Sequence, residues 1–249
     1  MNNKLRINLA RYAITSVLAG SIGVPMVANA SETSLVIKYQ QTFKENKYYR
    51  PLVGVFHKFD NNLKLGFVHK RQWREEVKTS GFPKFQETVV SAAYGIKLGK
   101  NGKATLTPAI EYKFNHKKET VRPSVKIFYR LNNEWGVGAR YRYEYQVHNG
   151  INGKLSRINR YDLYLDYNVS DDFSLEWNPS YGDMLGEGGG TFYTDENYRI
   201  EHEFTASYKV NAKNAVAITY KRKDETFENS KYNGGKNDDA VQLAYRYVF

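Results

Sequence analysis

From residue 34 to the carboxyl terminus the chain alternates apolar and polar residues with a period of two. Between Ala104 and Asn115, Leu106, Pro108, Ile110, Tyr112 and Phe114 take one side, and Thr105, Thr107, Glu111 and Lys113 the other. Residues 135–147 read WGVGARYRYEYQV, with apolar or aromatic residues at odd positions and Gly136, Gly138, Arg140, Arg142, Glu144 and Gln146 at even ones. From Tyr198 to Val210 the same pattern sets Tyr198, Ile200, Phe204 and Tyr208 against Arg199, Glu201, Glu203 and Lys209. Successive side chains of a strand point to opposite faces, so each segment describes a strand with one apolar and one polar face. No stretch after Ala30 carries a convincing 3.6-residue period. Punctuation by Gly, Asn, Asp and Pro predicts about twelve strands, over 34–43, 48–59, 63–74, 85–98, 103–115, 120–132, 135–147, 157–169, 173–183, 197–210, 214–224 and 239–249.

The connections alternate between two kinds. Asp60 to Asn62, Gly99 to Gly102, Asn132 to Glu134, Ser170 to Asp172 and Asn211 to Asn214 are short and built from residues that suit tight turns. Between them lie mostly longer polar stretches, such as 75–84, 148–156, 184–196 and 225–238. Tight turns on one rim and longer loops on the other are the arrangement of an outer-membrane barrel. Twelve strands with both termini on the turn side need five turns and six loops, which matches. The expected fold class is therefore all-β: a transmembrane antiparallel β-barrel.

The first thirty residues are a separate unit. Lys4, Arg6 and Arg11 precede an apolar stretch from Ile14 to Val27, and Ala28-Asn29-Ala30 supplies the small residues of a signal-peptidase site. The expected organisation is a signal peptide over 1–30, cleaved after Ala30, and a barrel over 31–249 located in the bacterial outer membrane.

Composition sharpens this picture. Aromatic residues make up 15% of the 249, with 21 Tyr and 13 Phe, while the mean hydropathy is -0.66. Such a chain is too polar for helical membrane spans and too aromatic for disorder. A soluble sandwich also alternates, but its apolar faces would be rich in Val, Ile and Leu, whereas these faces end repeatedly in Tyr or Phe, as interfacial girdles do. Tyr94 and Tyr112 are of that kind. The absence of cysteine excludes disulfides, thiolate metal sites and cysteine nucleophiles. No cofactor or metal motif is present either. Removing the three basic residues of the signal leaves 34 basic against 26 acidic residues, a net charge of +8. Export argues against nucleic acid as the partner of that charge. Lipopolysaccharide and acidic glycans remain.

If the apolar faces meet lipid, the polar faces line the lumen. The inward candidates are basic in majority, among them Arg122, Lys126, Arg130, Arg140, Arg142, Arg160, Arg199 and Arg246, with Lys38, Lys64, Lys70, Lys113 and Lys221. Glu87, Glu111, Glu144, Asp162, Asp166, Glu176, Glu201 and Glu203 are the inward acids. Arg71 and Arg222 phase outward, late in their strands, where they can reach the extracellular rim. A narrow lumen lined by arginines sieves anions, because a guanidinium offers fixed paired donors to carboxylates. The same arginines could equally brace the wall, Arg142 against Glu144 and Arg160 against Asp162. Sequence leaves that choice open, and the surplus of base over acid favours transport.

The run Trp135-Gly136-Val137-Gly138-Ala139-Arg140-Tyr141-Arg142-Tyr143, the later Arg160-Tyr161-Asp162-Leu163-Tyr164-Leu165-Asp166-Tyr167 and the closing Tyr245-Arg246-Tyr247-Val248-Phe249 resemble the oligogalacturonate-specific monomeric porin family, which includes the sialic-acid channel of enteric bacteria. The resemblance extends over essentially the mature chain. It implies a monomeric twelve-stranded diffusion channel, without a plug, for oligogalacturonides, sialic acid or related acidic sugars. It also implies that Arg140, Arg142 and Arg160 belong to a track of basic side chains along the pore. Outer-membrane lipid, lipopolysaccharide and the barrel assembly machinery, engaged through the aromatic-ended last strand, are the other expected partners.

Three rivals follow from the same barrel. A phospholipase-type enzyme needs a Ser, a His and a polar partner facing lipid, yet none of His57, His69, His116, His148 and His202 sits in a nucleophile signature. An autotransporter unit needs a passenger, and only a few residues separate Ala30 from the first strand. A structural or adhesin barrel would have a closed lumen. The expectation is a channel and not an enzyme.

Overall fold

The computed structural model describes residues 31–43, 48–74, 84–99, 101–115, 119–147, 155–185, 198–224 and 239–249. Among them every regular element is a strand: β1 (Glu32–Thr42), β2 (Tyr48–Lys58), β3 (Leu63–Arg74), β4 (Lys84–Tyr94), β5 (Ile96–Leu98), β6 (Ala104–Phe114), β7 (Glu119–Arg130), β8 (Trp135–Gln146), β9 (Arg157–Asn168), β10 (Phe173–Leu185), β11 (Tyr198–Lys209), β12 (Asn214–Asp224) and β13 (Ala240–Val248). Apart from β4 and β5, which do not pair with each other and both pair with β6, each strand pairs antiparallel with its sequence neighbours, and β1 pairs with β13. The sheet therefore closes on itself.

The sequence predicts one strand over 85–98, and here it is interrupted at Gly95. β3 has run out at Leu63, opposite Tyr94. Gly95 N–H then donates to the turn carbonyl of Asn62 at 3.2 Å, and β5 continues against β6 alone. β4 and β5 are thus one stave in two pieces, and the barrel has the twelve staves that alternation predicts.

The five short turns form where expected. Asn62 and Gly102 take left-handed φ of 67° and 59°, and Gly99 one of 76°. Elsewhere a side chain closes the turn. Asn132 Oδ1 accepts from the N–H groups of Glu134 and Trp135, and Asn211 Oδ1 from those of Lys213 and Asn214. The loops of the opposite rim, including the Gly-rich stretch 186–190 that could fold inward, lie outside the described residues.

Prolines sit inside strands at an identifiable cost. The β9–β10 pairing skips Asn178 and Pro179, because proline has no N–H to donate. The Asn178 side-chain amide compensates by donating to the carbonyl of Leu163.

The outer face is apolar. Ile37, Val53, Ile110, Ile127, Leu163, Ile218 and Leu243 are 47–59% exposed around the middle of the wall. Aromatic residues crowd both rims: Tyr39, Tyr49 and Trp73 cluster on the loop side, and Trp135 stacks on Tyr167 at 4.4 Å on the turn side. A continuous apolar band between aromatic girdles is stable only in contact with lipid. Arg71 and Arg222 are both exposed on that face, as expected, well along β3 and β12 from their turns.

Candidate functional site

Strand parity and register place all eight predicted basic residues on the inner face. Arg142 of β8 stands opposite Arg160 of β9, which stands opposite Gly182 of β10, which stands opposite Arg199 of β11. The next row contains Lys126, Arg140, Asp162, Ser180 and Glu201. Unshielded arginines so close would repel each other, and carboxylates from adjacent rows lie between them. Asp162, whose side chain has no exposed surface, accepts from Arg140 Nε and Arg160 Nε, both at 2.8 Å. Glu201 accepts from Arg160 Nη1 at 2.8 Å and Arg199 Nε at 3.0 Å.

A second chain runs through β6 to β8. Arg122 bridges Glu111 at 3.5 Å and Glu144 at 2.9 Å, and Glu144 also holds Arg142 at 2.8 Å. Arg122, Arg140, Arg142, Arg160 and Arg199 are therefore matched by Glu111, Glu144, Asp162 and Glu201. The bracing that sequence left open is present, and the arginine belt is close to neutral.

The other three candidates are placed differently. Lys126 Nζ lies over the Tyr164 ring at 3.5 Å, a cation–π contact that also fixes Tyr164, with 3% of its surface exposed. Arg130 flanks the Phe128 ring at 5.2 Å. Arg246 pairs with Glu32 at 2.8 Å, joining the last strand to the first.

The positive surplus lies on the facing wall. Inward positions of β1 to β3 carry Lys38, Arg50, Lys58, Lys64 and Lys70, against Glu32 on β1 and Glu87 on the adjoining β4. Glu32 is taken by Arg246, and Glu87 is shared by Lys70 at 3.3 Å and Lys113 at 3.1 Å. Lys221 is held by Glu203 at 2.7 Å.

Sequence reasoning missed inward aromatics, Tyr164, Phe56 and Phe128 among them. Tyr164 shares the parity of Asp162 and Asp166, a signal available in RYDLYLDY but outweighed by the many outward tyrosines. Phe56 and Phe128 also point inward, lying against glycines of the neighbouring strand: Phe56 against Gly66, and Phe128 against Gly136 and Gly138. Among the described residues no group of three or more His, Asp or Glu could hold a metal ion.

A closed antiparallel barrel with a lipid-facing outside, a charged inside and tight turns along one rim is an outer-membrane channel protein of the porin class. The family comparison is more specific. The family model described as oligogalacturonate-specific porin protein matches residues 26–220, and the chain belongs to that family.

Solved structures share the fold. The NanC porin superposes with a TM-score of 0.69 at 17% identity, covering 86% of this chain and 98% of its own. The KdgM porin gives 0.56 at 15%, covering 86% and 99%. An outer-membrane channel from Pseudomonas putida F1 gives 0.69 at 15%, covering 94% and 100%. A further KdgM porin structure, at TM-score 0.55 and 16% identity over 86% of this chain and 99% of that one, is described in complex with disordered oligogalacturonate. No curated protein sequence matches the chain.

Proposed function

We propose that this porin is an anion-selective diffusion channel for acidic sugars, oligogalacturonides or sialic acid, across the bacterial outer membrane. The observation that carries this reading is the excess of base over acid along the lumen, concentrated on β1 to β3 opposite a nearly neutral arginine belt. A carboxylate entering such a lumen replaces lost hydration with fixed donors, whereas a cation meets net repulsion. Arg122, Lys126, Arg130, Arg140, Arg142, Arg160, Arg199 and Arg246 form the basic lining of the pathway. The family's substrate class and the ligand of the KdgM relative point to the same chemistry.

On this reading residues 1–30 are removed after Ala30, and residues 31–249 insert as a monomer. Outer-membrane lipid and lipopolysaccharide surround the barrel, and the assembly machinery engages the strand ending at Phe249. Liposome swelling tests the channel directly. Galacturonate oligomers and sialic acid should enter faster than neutral sugars of similar size. Uptake indifferent to sugar charge would make this a general porin.

A further inference from the structure

The lumen cations differ in what already occupies them. Each arginine of the belt has an intramolecular carboxylate at 2.8 to 3.0 Å, apart from a longer second contact of Arg122. A passing sugar carboxylate must compete with a tethered one, which acts at high effective concentration. Lys126 and Arg130 lie against aromatic rings. Lys38 is different from these: among the described residues its ammonium, like those of Lys58 and Lys64 at the turn rim, has neither a carboxylate within ion-pair distance nor an aromatic ring against it, and of the three it is the one midway along its strand. The charges that act on it are those of Lys221, Glu203, Lys70 and Glu176, and Glu203 is already paired with Lys221.

The wall beside Lys38 is equally unusual. Across the β1–β13 and β12–β13 registers its neighbours are Ala244 and then Ala217, both 8% exposed, and on the β2 side it faces Leu52. Beyond Leu52 the same row continues to Lys70, which is already paired with Glu87. A cation in a narrow lumen with no carboxylate in contact is unfavourable, and an incoming anion relieves it. Low alanine side chains beside it leave an apolar floor. A hexuronate ring presents both complements, an apolar C–H face and one carboxylate at its edge.

We propose that Lys38, with the Ala217–Ala244 floor, is the carboxylate station at which a uronate ring pauses in the lumen, whereas the arginine belt chiefly braces the opposite wall. The proposal rests on the acidic-sugar reading above and specifies where in the lumen the sugar is held.

The chain has no cysteine, so Lys38→Cys introduces a unique thiol. Removing an ammonium that has no partner leaves no carboxylate uncompensated, so Lys38→Cys and Lys38→Gln should fold and insert. In planar bilayers both are expected to reduce anion-over-cation permeability severalfold and to weaken current block by galacturonate oligomers about tenfold, as loss of one unscreened pore charge would. A trimethylammonium thiol reagent on Lys38→Cys should restore both properties, and a sulfonate reagent should depress them further. Ala244→Leu keeps every charge and fills the floor. It should weaken the block while leaving chloride selectivity intact. Arg222→Gln, the same charge change on the lipid face, should alter neither.

If wild-type channels show block that survives Lys38→Gln unchanged, or if the two thiol reagents act alike, the Lys38 station is wrong and the acidic-sugar reading stands. If wild-type channels show no block by galacturonate or sialic acid, the functional reading itself fails.

Discussion

Asp162 illustrates how the lumen is held at the scale of single residues. Its carboxylate is fully buried and accepts from two guanidiniums at 2.8 Å. Removing one partner of a buried ionic group leaves the others uncompensated, which costs more than the pair itself contributes. Asp162→Asn preserves the shape and one acceptor but leaves Arg140 and Arg160 facing each other without a shared negative charge. The substitution should destabilise the barrel by about 3 kcal/mol, read as a lower urea midpoint in lipid vesicles. Lys209→Gln is the contrasting case. Its pair with Asp172, at 3.8 Å, is largely exposed beside a turn, and its loss should fall within about 0.5 kcal/mol of wild type. Equal effects at the two positions would mean that water screens the lattice as thoroughly as it screens the rim.

At the scale of strands, glycine and phenylalanine form interlocked pairs whose tolerances differ. A Cβ on Gly66 would overlap Phe56 Cδ1, and its other close contacts are atoms of the same ring. A Cβ on Gly138 would lie 2.8 Å from Phe128 Cδ2 and also 2.9 Å from the carbonyl oxygen of Ile127. Overpacking of this kind costs about 1–3 kcal/mol, so Gly66→Ala and Gly138→Ala should both weaken the barrel. The double-mutant cycles separate them. Phe56→Ala should absorb most of the Gly66→Ala penalty, whereas Phe128→Ala should leave part of the Gly138→Ala penalty, because a backbone oxygen cannot rotate away. Such pairs mark the boundary of what the sequence discloses. Alternation leaves Phe56 undistinguished from the outward aromatics, and only register turns it inward and sets it against Gly66. The same boundary runs through the candidate site. The inward parity of Arg160 and Glu201 is visible in their own strands, yet their contact joins residues 41 apart, and that of Arg246 with Glu32 joins residues 214 apart. Gly95 likewise reads as part of one continuous strand until the end of β3 is known to fall beside it.

For the whole molecule the decisive relation is between the wall and its solvent. Inward and outward faces could be told apart in the sequence because lipid excludes charge from the middle of one of them, and the strands repeat that exclusion, with Arg71 and Arg222 falling late in theirs. The lumen imposes no such uniform rule. It accepts paired arginines on β7 to β11, alanines on β12 and β13 and surplus lysines on β1 to β3, so its chemistry follows from the closed topology rather than from any single strand. The lipid face can be tested by depth. Leu163 lies at the middle of β9 and is 59% exposed, whereas Val210, 53% exposed, borders the turn after β11. In water, arginine at two positions so similarly exposed would have little effect at either. In a bilayer the penalty depends on distance from the midplane: about 2–4 kcal/mol for Leu163→Arg and about 0–1 for Val210→Arg. Unfolding titrations in vesicles of defined thickness measure both, and a thinner bilayer should narrow the difference by bringing headgroups and water closer to position 163. A penalty at Leu163 no larger than at Val210 would be incompatible with an apolar band that spans the membrane.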